Sequence, residues 1–326
     1  MKNRFFYKKY DEDGINVIEL GYSADDNKKN LLLKVSPENG NNMFCFKIGK
    51  YEIVHYDPSF KLKSYYTGNP ILYPLPNRVR NCRYEFNGEK FWQMKNGIPI
   101  FLHSLVYDET WSYHEPVIQE DKIILETFIE IDENHPIYEG FPFIHTLIVK
   151  YILTSEKLIF SYTVKNRDSK ELPFGISFHT FFSKLSGERD TMFSIPAKYM
   201  MELTDDLLPT GRLLETNGQL FDLNKPVPVS SVNLDNCFTG MDKNEKVMID
   251  YTSIGLKIFI DSTDDFTHMQ VYTPSGKPFF CIEKQTCSTD AHNLNARGFK
   301  KESHLLIVPP SEEYSGDVEY SYSYNY

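Results

Sequence analysis

Four segments of the sequence place ionisable side chains among apolar or aromatic neighbours, where environments that tune acid–base chemistry are found. Arg78 stands in GNPILYPLPNRVR, His103 in FLHSLVYDETW, His179 in ELPFGISFHTFFS and Glu283 in KPFFCIEKQT. A carboxylate and an imidazole are the groups that general acid–base catalysis uses most often. Each residue alone also has an ordinary explanation: a surface arginine, a hydrogen-bonded core histidine, or a carboxylate at an exposed strand end. Only the combination of the segments points to a site.

The usual signatures of nucleotide, serine-hydrolase and metalloprotease chemistry are absent from the sequence. It contains no GxGxxG, GxxxxGK[ST], GxSxG or HExxH motif. The nine histidines are scattered, and none forms a close pair at metal-ligand spacing. We therefore expect no catalytic metal, and an activity that is indifferent to EDTA and to added divalent metals.

The elements that must position these residues are strands. Apolar residues recur at every second position in 123–131, 158–164, 256–260 and 318–324, which is typical of strands with one buried face. Asn87-Gly88 separates two such runs and predicts a type I′ hairpin over 83–94. Long segments with helical periodicity do not occur. The pattern predicts an all-β fold, a large antiparallel β-sandwich formed by a single domain over residues 1–326.

Two segments are predicted to lie outside the strands. Pro70, Pro74 and Pro76 remove backbone donors from residues 68–80, so we expect a rigid loop there rather than a strand. Residues 204–235 contain scattered Pro, Gly and Asn and are predicted to form a long surface connection.

Composition narrows the class of protein. The chain has 326 residues, of which 41% are hydrophobic and 15% aromatic, and a formal net charge of −10 that disfavours nucleic acid and anionic membranes as partners. Five cysteines, an odd count without a CxxC pair, suit reduced thiols. The N-terminus lacks the apolar core of a signal peptide, and no run of 18 apolar residues occurs. We expect a cytoplasmic monomer or homodimer that binds a small molecule.

The order of five motifs resembles the aldose 1-epimerase (galactose mutarotase-like) family. These are PNRVR, LH with a Trp eight residues on, PFG followed by HTFF, LDNCFTG and CIEKQT, and the resemblance covers roughly residues 15–320. It implies one large β-supersandwich with a sugar in a cleft on one sheet, and no cofactor. By the same resemblance Glu283 is the catalytic base and His179 the acid, while Arg78, His103 and Asp235 bind the sugar.

Such an enzyme interconverts the α and β anomers of a free aldose. A base takes the proton of the anomeric hydroxyl while an acid protonates the ring oxygen, and the open aldehyde rotates and recloses. A hexose-6-phosphate mutarotase and a non-catalytic sugar-binding homologue are the alternatives. Phe178 or Trp111 is a candidate to line an apolar sugar face.

Three positions depart from the family pattern. Ser104 and Cys82 stand where glycine is usual, and Lys284 stands where proline is frequent. None removes a group that the chemistry needs, but each bears on the shape of the pocket and hence on the preferred sugar.

Overall fold

Strands make up about half of the described chain, residues 4–59, 62–217, 222–242 and 244–325 of a computed structural model. In the first half the strands are β1 (Phe5–Glu12), β2 (Ile15–Tyr22), β3 (Leu31–Ser36), β4 (Asn42–Ile48), β5 (Tyr51–Glu52), β6 (Ile71–Leu72), β7 (Arg83–Phe86), β8 (Glu89–Trp92), β9 (Met94–Lys95), β10 (Ile98–Pro99), β11 (Ser112–Tyr113), β12 (Val117–Ile118), β13 (Lys122–Ile131), β14 (His145–Thr154) and β15 (Lys157–Asn166). In the second half they are β16 (Leu172–Phe174), β17 (Ser177–Phe178), β18 (Phe181–Ser183), β19 (Thr191–Ser194), β20 (Ala197–Leu203), β21 (Pro209–Glu215), β22 (Val227–Pro228), β23 (Asp235–Met241), β24 (Val247–Tyr251), β25 (Leu256–Ser262), β26 (His268–Tyr272), β27 (Phe279–Gln285), β28 (Leu306–Val308) and β29 (Glu313–Tyr324). The α-helices are short: α1 (Gly187–Asp190), α2 (Ala291–Ala296) and α3 (Lys300–Ser303).

Two large antiparallel sheets form the body of the described chain. One has ten strands, in the order β11-β13-β14-β15-β29-β25-β24-β19-β22, with β12 also paired to β13. The other has eight, in the order β21-β20-β23-β26-β27-β17-β6, with β18 also paired to β27, and is called the site sheet below. Strands β1 to β5 pair in chain order as a smaller N-terminal sheet. The predicted all-β, antiparallel fold class is confirmed.

The period-two pattern of the sequence matches the buried faces of the strands. In β13 the side chains of Ile123, Leu125, Ile129 and Ile131 are buried together with Thr127, and the residues that alternate with them are partly or fully exposed. The predicted hairpin is also present, because β7 and β8 pair from Arg83↔Trp92 to Phe86↔Glu89. Asn87 and Gly88 have φ angles of 50° and 81°, as a type I′ turn requires.

Aromatic side chains from the two large sheets meet in one core. The ring of Phe160 in β15 lies 5.0 Å from that of Phe178 in β17, and Tyr320 in β29 lies 5.6 Å from Phe182 in β18. All four side chains are at most 2% exposed. Burying each such side chain contributes about 1.5–3 kcal/mol, so this layer holds the site sheet against its partner.

The structure corrects two predictions about loops. Residues 68–80 include the short strand β6, whose Leu72 and Ile71 pair with Ser177 and Phe178, so the segment is partly sheet. Residues 204–235 contain β21 and β22 and bury apolar side chains such as Leu208 and Leu234, and are therefore not a surface connection. Residues 218–221 of that segment lie outside the described residues. None of the helices among the described residues has the length and apolarity to cross a membrane.

Candidate active site

Glu283 and His179 meet over neighbouring strands of the site sheet. Glu283 lies within β27, and His179 follows β17 directly, with its ring stacked on Phe181 at 4.7 Å and an interplanar angle of 6°. The Nε2 atom of His179 is 3.4 Å from Oε1 of Glu283, and the two residues are 5% and 2% exposed. Since Glu283 is buried inside a strand, the explanation as an exposed strand end is wrong.

Arg78 and Asp235 form an ion pair in the same cavity. Nη2 of Arg78 donates to Oδ2 of Asp235 at 3.0 Å. The other carboxylate oxygen accepts from Nε2 of Gln270 at 2.7 Å. Gln270 faces Glu283 across the β26–β27 pair, while Asp235 lies one strand further, in β23. The arrangement sets a fixed carboxylate across the sheet from the Glu283–His179 pair.

The two adjacent segments that carry Arg78 and His103 are held in unusual backbone conformations. Asn77, His103 and Ser104 have φ angles of 62°, 61° and 71°, in the left-handed region that favours glycine. The amide of His103 donates to the carbonyl of Asn77 at 2.9 Å, and the hydroxyl of Ser104 accepts from the amide of Leu75 at 3.0 Å. The serine that departs from the family pattern therefore helps to fix these segments.

The other two departures lie away from the cavity. Cys82 has a φ angle of 54°, a conformation that suits the glycine usual at that position. Lys284 is buried on the opposite face of β27 from Glu283, and burial lowers its pKa to about 8. Neither Cys82 nor Lys284 lines the cavity.

His103 completes the group of predicted residues. Its ring lies 4.9 Å from that of His179 and 4.7 Å from that of Tyr65. The Nδ1 atoms of His103 and His179 are buried and have no hydrogen-bond partner within the described ranges. Buried polar atoms are normally paired, so these two nitrogens are exceptions at the centre of the predicted site.

One cavity of about 510 Å³ contains all five predicted residues. Other side chains line it that were not predicted from the sequence, and the most informative are His55, Tyr65, Phe181, Gln270 and Phe279.

Phe178 and Trp111, proposed as lining residues, are instead 1% and 2% exposed in the core. For Phe178 the reason is geometric, because successive residues near a strand point to opposite faces and Phe178 directly precedes His179. The same alternation places Phe181, two residues beyond His179, on the face of the chain that lines the cavity.

Burial sets the protonation of the acid–base pair. Desolvation, and then the charge of Asp235, hold the pKa of Glu283 well above its usual range. Desolvation lowers the pKa of His179 to about 3. For His103, burial and then the neighbouring His179 and Arg78 lower the pKa well below its usual range. The buried pair therefore favours one proton in total, on Glu283 rather than on His179, and no net charge.

Three side chains of the types that bind metal ions also lie together at the Glu283–His179 pair. One ligand atom each from His179, Cys281 and Glu283 lies within 4.8 Å of the others, and all three residues are buried. The sequence spacing did not indicate this group, because His179 and the β27 residues come together only through strand pairing. Burial holds the pKa of the Cys281 thiol well above its usual range, which disfavours the thiolate that a metal prefers.

Comparisons with known proteins agree with this fold. The structure is similar to a galactose mutarotase-like protein from Clostridium acetobutylicum, with a TM-score of 0.86, 19% identity and 99% of each chain covered. It is also similar to galactose 1-epimerase from Lactobacillus acidophilus, with a TM-score of 0.78, 15% identity and 100% of each chain covered. At these identities the likeness shows the fold, and the predicted galactose mutarotase-like supersandwich is confirmed.

Sequence comparison gives the family. The chain is 24% identical to galactose mutarotase from Homo sapiens over 179 residues, which is 53% of this chain and 50% of that protein. It is 21% identical to the uncharacterised protein YphB of Escherichia coli K12 over 254 residues, 76% of this chain and 81% of that protein. A family profile described as aldose 1-epimerase matches residues 28–321, nearly the whole sequence. The protein belongs to the aldose 1-epimerase family.

Proposed function

We propose that the protein is an aldose 1-epimerase that interconverts the α and β anomers of a free aldose. The observation that carries the proposal is the approach of His179 Nε2 to Glu283 Oε1, 3.4 Å apart in a cavity of about 510 Å³. A base and an acid separated by this distance can reach the anomeric hydroxyl and the adjacent ring oxygen of one pyranose.

The reaction uses the single proton of the pair. The two pKa directions leave this proton on Glu283 in the empty cavity, so in this proposal it first passes to His179 when the sugar binds. Glu283 is then a carboxylate that accepts the proton of the anomeric hydroxyl, while the imidazolium donates to the ring oxygen as the C1–O5 bond breaks. The product is the open aldehyde, and the proton now resides on Glu283. Rotation about C1–C2 followed by the reverse transfers closes the ring with the other configuration. Each positioned group contributes about 10²–10⁴-fold.

The other predicted residues bind and orient the sugar in this proposal. Asp235 accepts hydrogen bonds from ring hydroxyls, and its own orientation is fixed by Arg78 and Gln270. Arg78 and His103, which line the cavity, donate to sugar oxygens. No step requires a cofactor, because no electrons or groups leave the sugar.

The alternatives make different use of the same cavity. A non-catalytic sugar-binding protein does not need an acid–base pair, and burying Glu283 without a strong partner is costly unless the carboxylate is used. A hexose-6-phosphate mutarotase needs several cations that converge on the phosphate. Arg80 instead lies 3.5 Å from Asp290, and Arg83 lies over the ring of Trp92, so neither lines the cavity.

Polarimetry of freshly dissolved α-glucose and α-galactose tests the proposal. The expected result is a return to the equilibrium rotation at a rate proportional to protein concentration, above the buffer rate. Equilibrium sugar binding without any acceleration supports the non-catalytic alternative.

A further inference from the structure

An aromatic wall leads away from His179 along the cavity. The ring of Phe181 lies 4.7 Å from that of His179, Phe279 lies 4.9 Å from Phe181, and His55 lies 5.4 Å from Phe279. All four residues line the same cavity. We call Phe181, Phe279 and His55 the aromatic wall.

Backbone contacts hold the wall in place. Phe181 pairs with Cys281 and Ser183 with Phe279 across the β18–β27 ladder. The amide of His55 donates to the carbonyl of Phe181 at 2.7 Å. The rings are therefore a fixed surface that is present before any ligand arrives.

The cavity is longer than one sugar ring. Phe279 and Glu283 are four residues apart in the same strand, which is about 13 Å at ~3.3 Å per residue. The atoms of one aldohexose occupy at most about 360 Å³, taking the ~30 Å³ share of a water molecule for each non-hydrogen atom. The cavity of about 510 Å³ leaves room beyond that ring.

For the proposed reaction, the order of the strands determines the orientation of the sugar ring in the cavity. Asp235, Glu283 and His179 follow one another across the sheet on β23, β27 and the β17–β18 connection. With the ring oxygen at His179, the hydroxyls on the opposite side of the ring point toward Asp235. The ring oxygen is flanked by C1, which lies at Glu283, and by C5. C5 and its exocyclic C6 therefore point away from Glu283 along β27, toward Phe181 and Phe279.

We infer that the aromatic wall is a second subsite, which receives a neutral glycosyl ring attached to O6 of the aldose. The apolar faces of pyranoses pack on aromatic rings, and the wall begins where C6 leaves the first ring. Lys277 and Asp57, each two residues from a member of the wall, line the same cavity with opposite charges, so this part of it offers no concentrated positive charge for an anion. A 4-linked disaccharide is disfavoured, because its O4 lies on the side of the ring that faces the ion pair of Asp235 and Arg78.

Anomeric exchange of reducing disaccharides measures the subsite, and this inference rests on the proposed function. Proton exchange spectroscopy at equilibrium gives kcat/KM for glucose, 6-linked isomaltose and 4-linked maltose without purified anomers. We expect isomaltose to be at least as good a substrate as glucose, and maltose about tenfold worse or more. Equal rates for isomaltose and maltose overturn the inference.

Variants of the wall separate its role from general damage. Phe279→Ala and His55→Ala should each lower the isomaltose-to-glucose ratio of kcat/KM by about three- to tenfold, the size of an aromatic contact converted at 1.4 kcal/mol per tenfold. Tyr113→Ala, which removes an exposed ring outside the cavity, should leave the ratio unchanged. An unchanged ratio in both wall variants, with melting temperatures that show them folded, contradicts the subsite.

A binding measurement keeps the two proposals distinguishable. If no sugar exchanges, the proposed function fails, but titration calorimetry with isomaltose and glucose still tests the wall. Tighter binding of isomaltose that Phe279→Ala abolishes supports the subsite. Equal affinity for the two sugars in the wild-type protein overturns it.

Discussion

Replacing Glu283 by glutamine removes the proposed base while keeping its shape. The Oε1 atom of Glu283 faces His179 at 3.4 Å, and Oε2 accepts from Gln285 at a long 3.5 Å, so the amide loses little hydrogen bonding. Loss of a positioned general base costs about 10²–10⁴-fold in turnover, or about 2.7–5.5 kcal/mol of barrier at 1.36 kcal/mol per tenfold. Retention of more than about a tenth of the wild-type rate would refute the assignment.

The same substitution should slow the reaction but stabilise the folded protein at high pH. Burial raises the pKa of Glu283 in the folded state, so the wild-type protein loses stability as pH rises from the unfolded pKa toward that raised value. Glutamine does not ionise and escapes this loss. We expect the variant to melt at the same or a higher temperature than wild type near pH 8, with the gap closing toward about pH 4, where the carboxyl is neutral in both states.

Polarimetry on glucose measures the reaction rate, and thermal melts on the same samples measure the stability. Glu130→Gln is the matched control, because Glu130 is an exposed carboxylate on β13 outside the cavity. It should change neither the rate nor the pH dependence of the melting temperature. A slow Glu283→Gln variant that also melts far below wild type would mean that lost folding, and not a lost base, explains the rate.

Four further predictions concern the same site. His179→Ala should lower kcat by about 10²–10⁴-fold, whereas His103→Ala should also raise KM, since its hydrogen bond exists before ring opening; a raised KM alone in both variants would show that His179 is not the acid. Dialysis against EDTA should leave the rate unchanged, and a loss that zinc restores would mean that the reaction needs a metal. Activity should persist at about pH 5, because burial lowers the pKa of His179 to about 3 and raises that of Glu283, so that the pair gains no second proton there; a rate that halves between about pH 6.5 and 5.5, near the ordinary histidine pKa, contradicts this. Glucose should be turned over faster than glucose 6-phosphate, and a preference for the phosphate that is lost on replacing Arg80 or Arg83 would favour the phosphosugar alternative.

Periodicity predicted the strands because a half-buried strand leaves a direct trace in the sequence. The apolar positions of 123–131 and 158–164 fall within β13 and β15, whose alternating residues are buried. Alternation does not show which strands pair with each other. Strand β29, for example, pairs with β15 and β25, which are far from it in the sequence. The segment 204–235 was mistaken for a surface loop because turn-rich composition conceals short strands such as β21.

Only those residues of the candidate site that belong to the family motifs were predicted from the sequence. Glu283, His179, Arg78, His103 and Asp235 line one cavity as expected, and their roles stay predictions. The single-domain organisation and the oligomeric state also stay predictions.

Residues outside those motifs were missed for different physical reasons. Gln270 is brought to Asp235 and Glu283 by strand pairing alone, and the sequence around it carries no chemical signal. His55 and Tyr65 belong to a segment that no motif covers. A useful signal was present for Phe181, because its spacing of two from His179 places both rings on one side of the chain.

The measurement that tests the account most directly is mutarotation of α-glucose and α-galactose by the wild-type protein beside Glu283→Gln. The account predicts acceleration proportional to wild-type concentration for at least one free aldose, and no acceleration above buffer for the variant. Equal rates with wild type, variant and buffer across a panel of free aldoses, or a variant as active as wild type, would contradict the proposed function and its base.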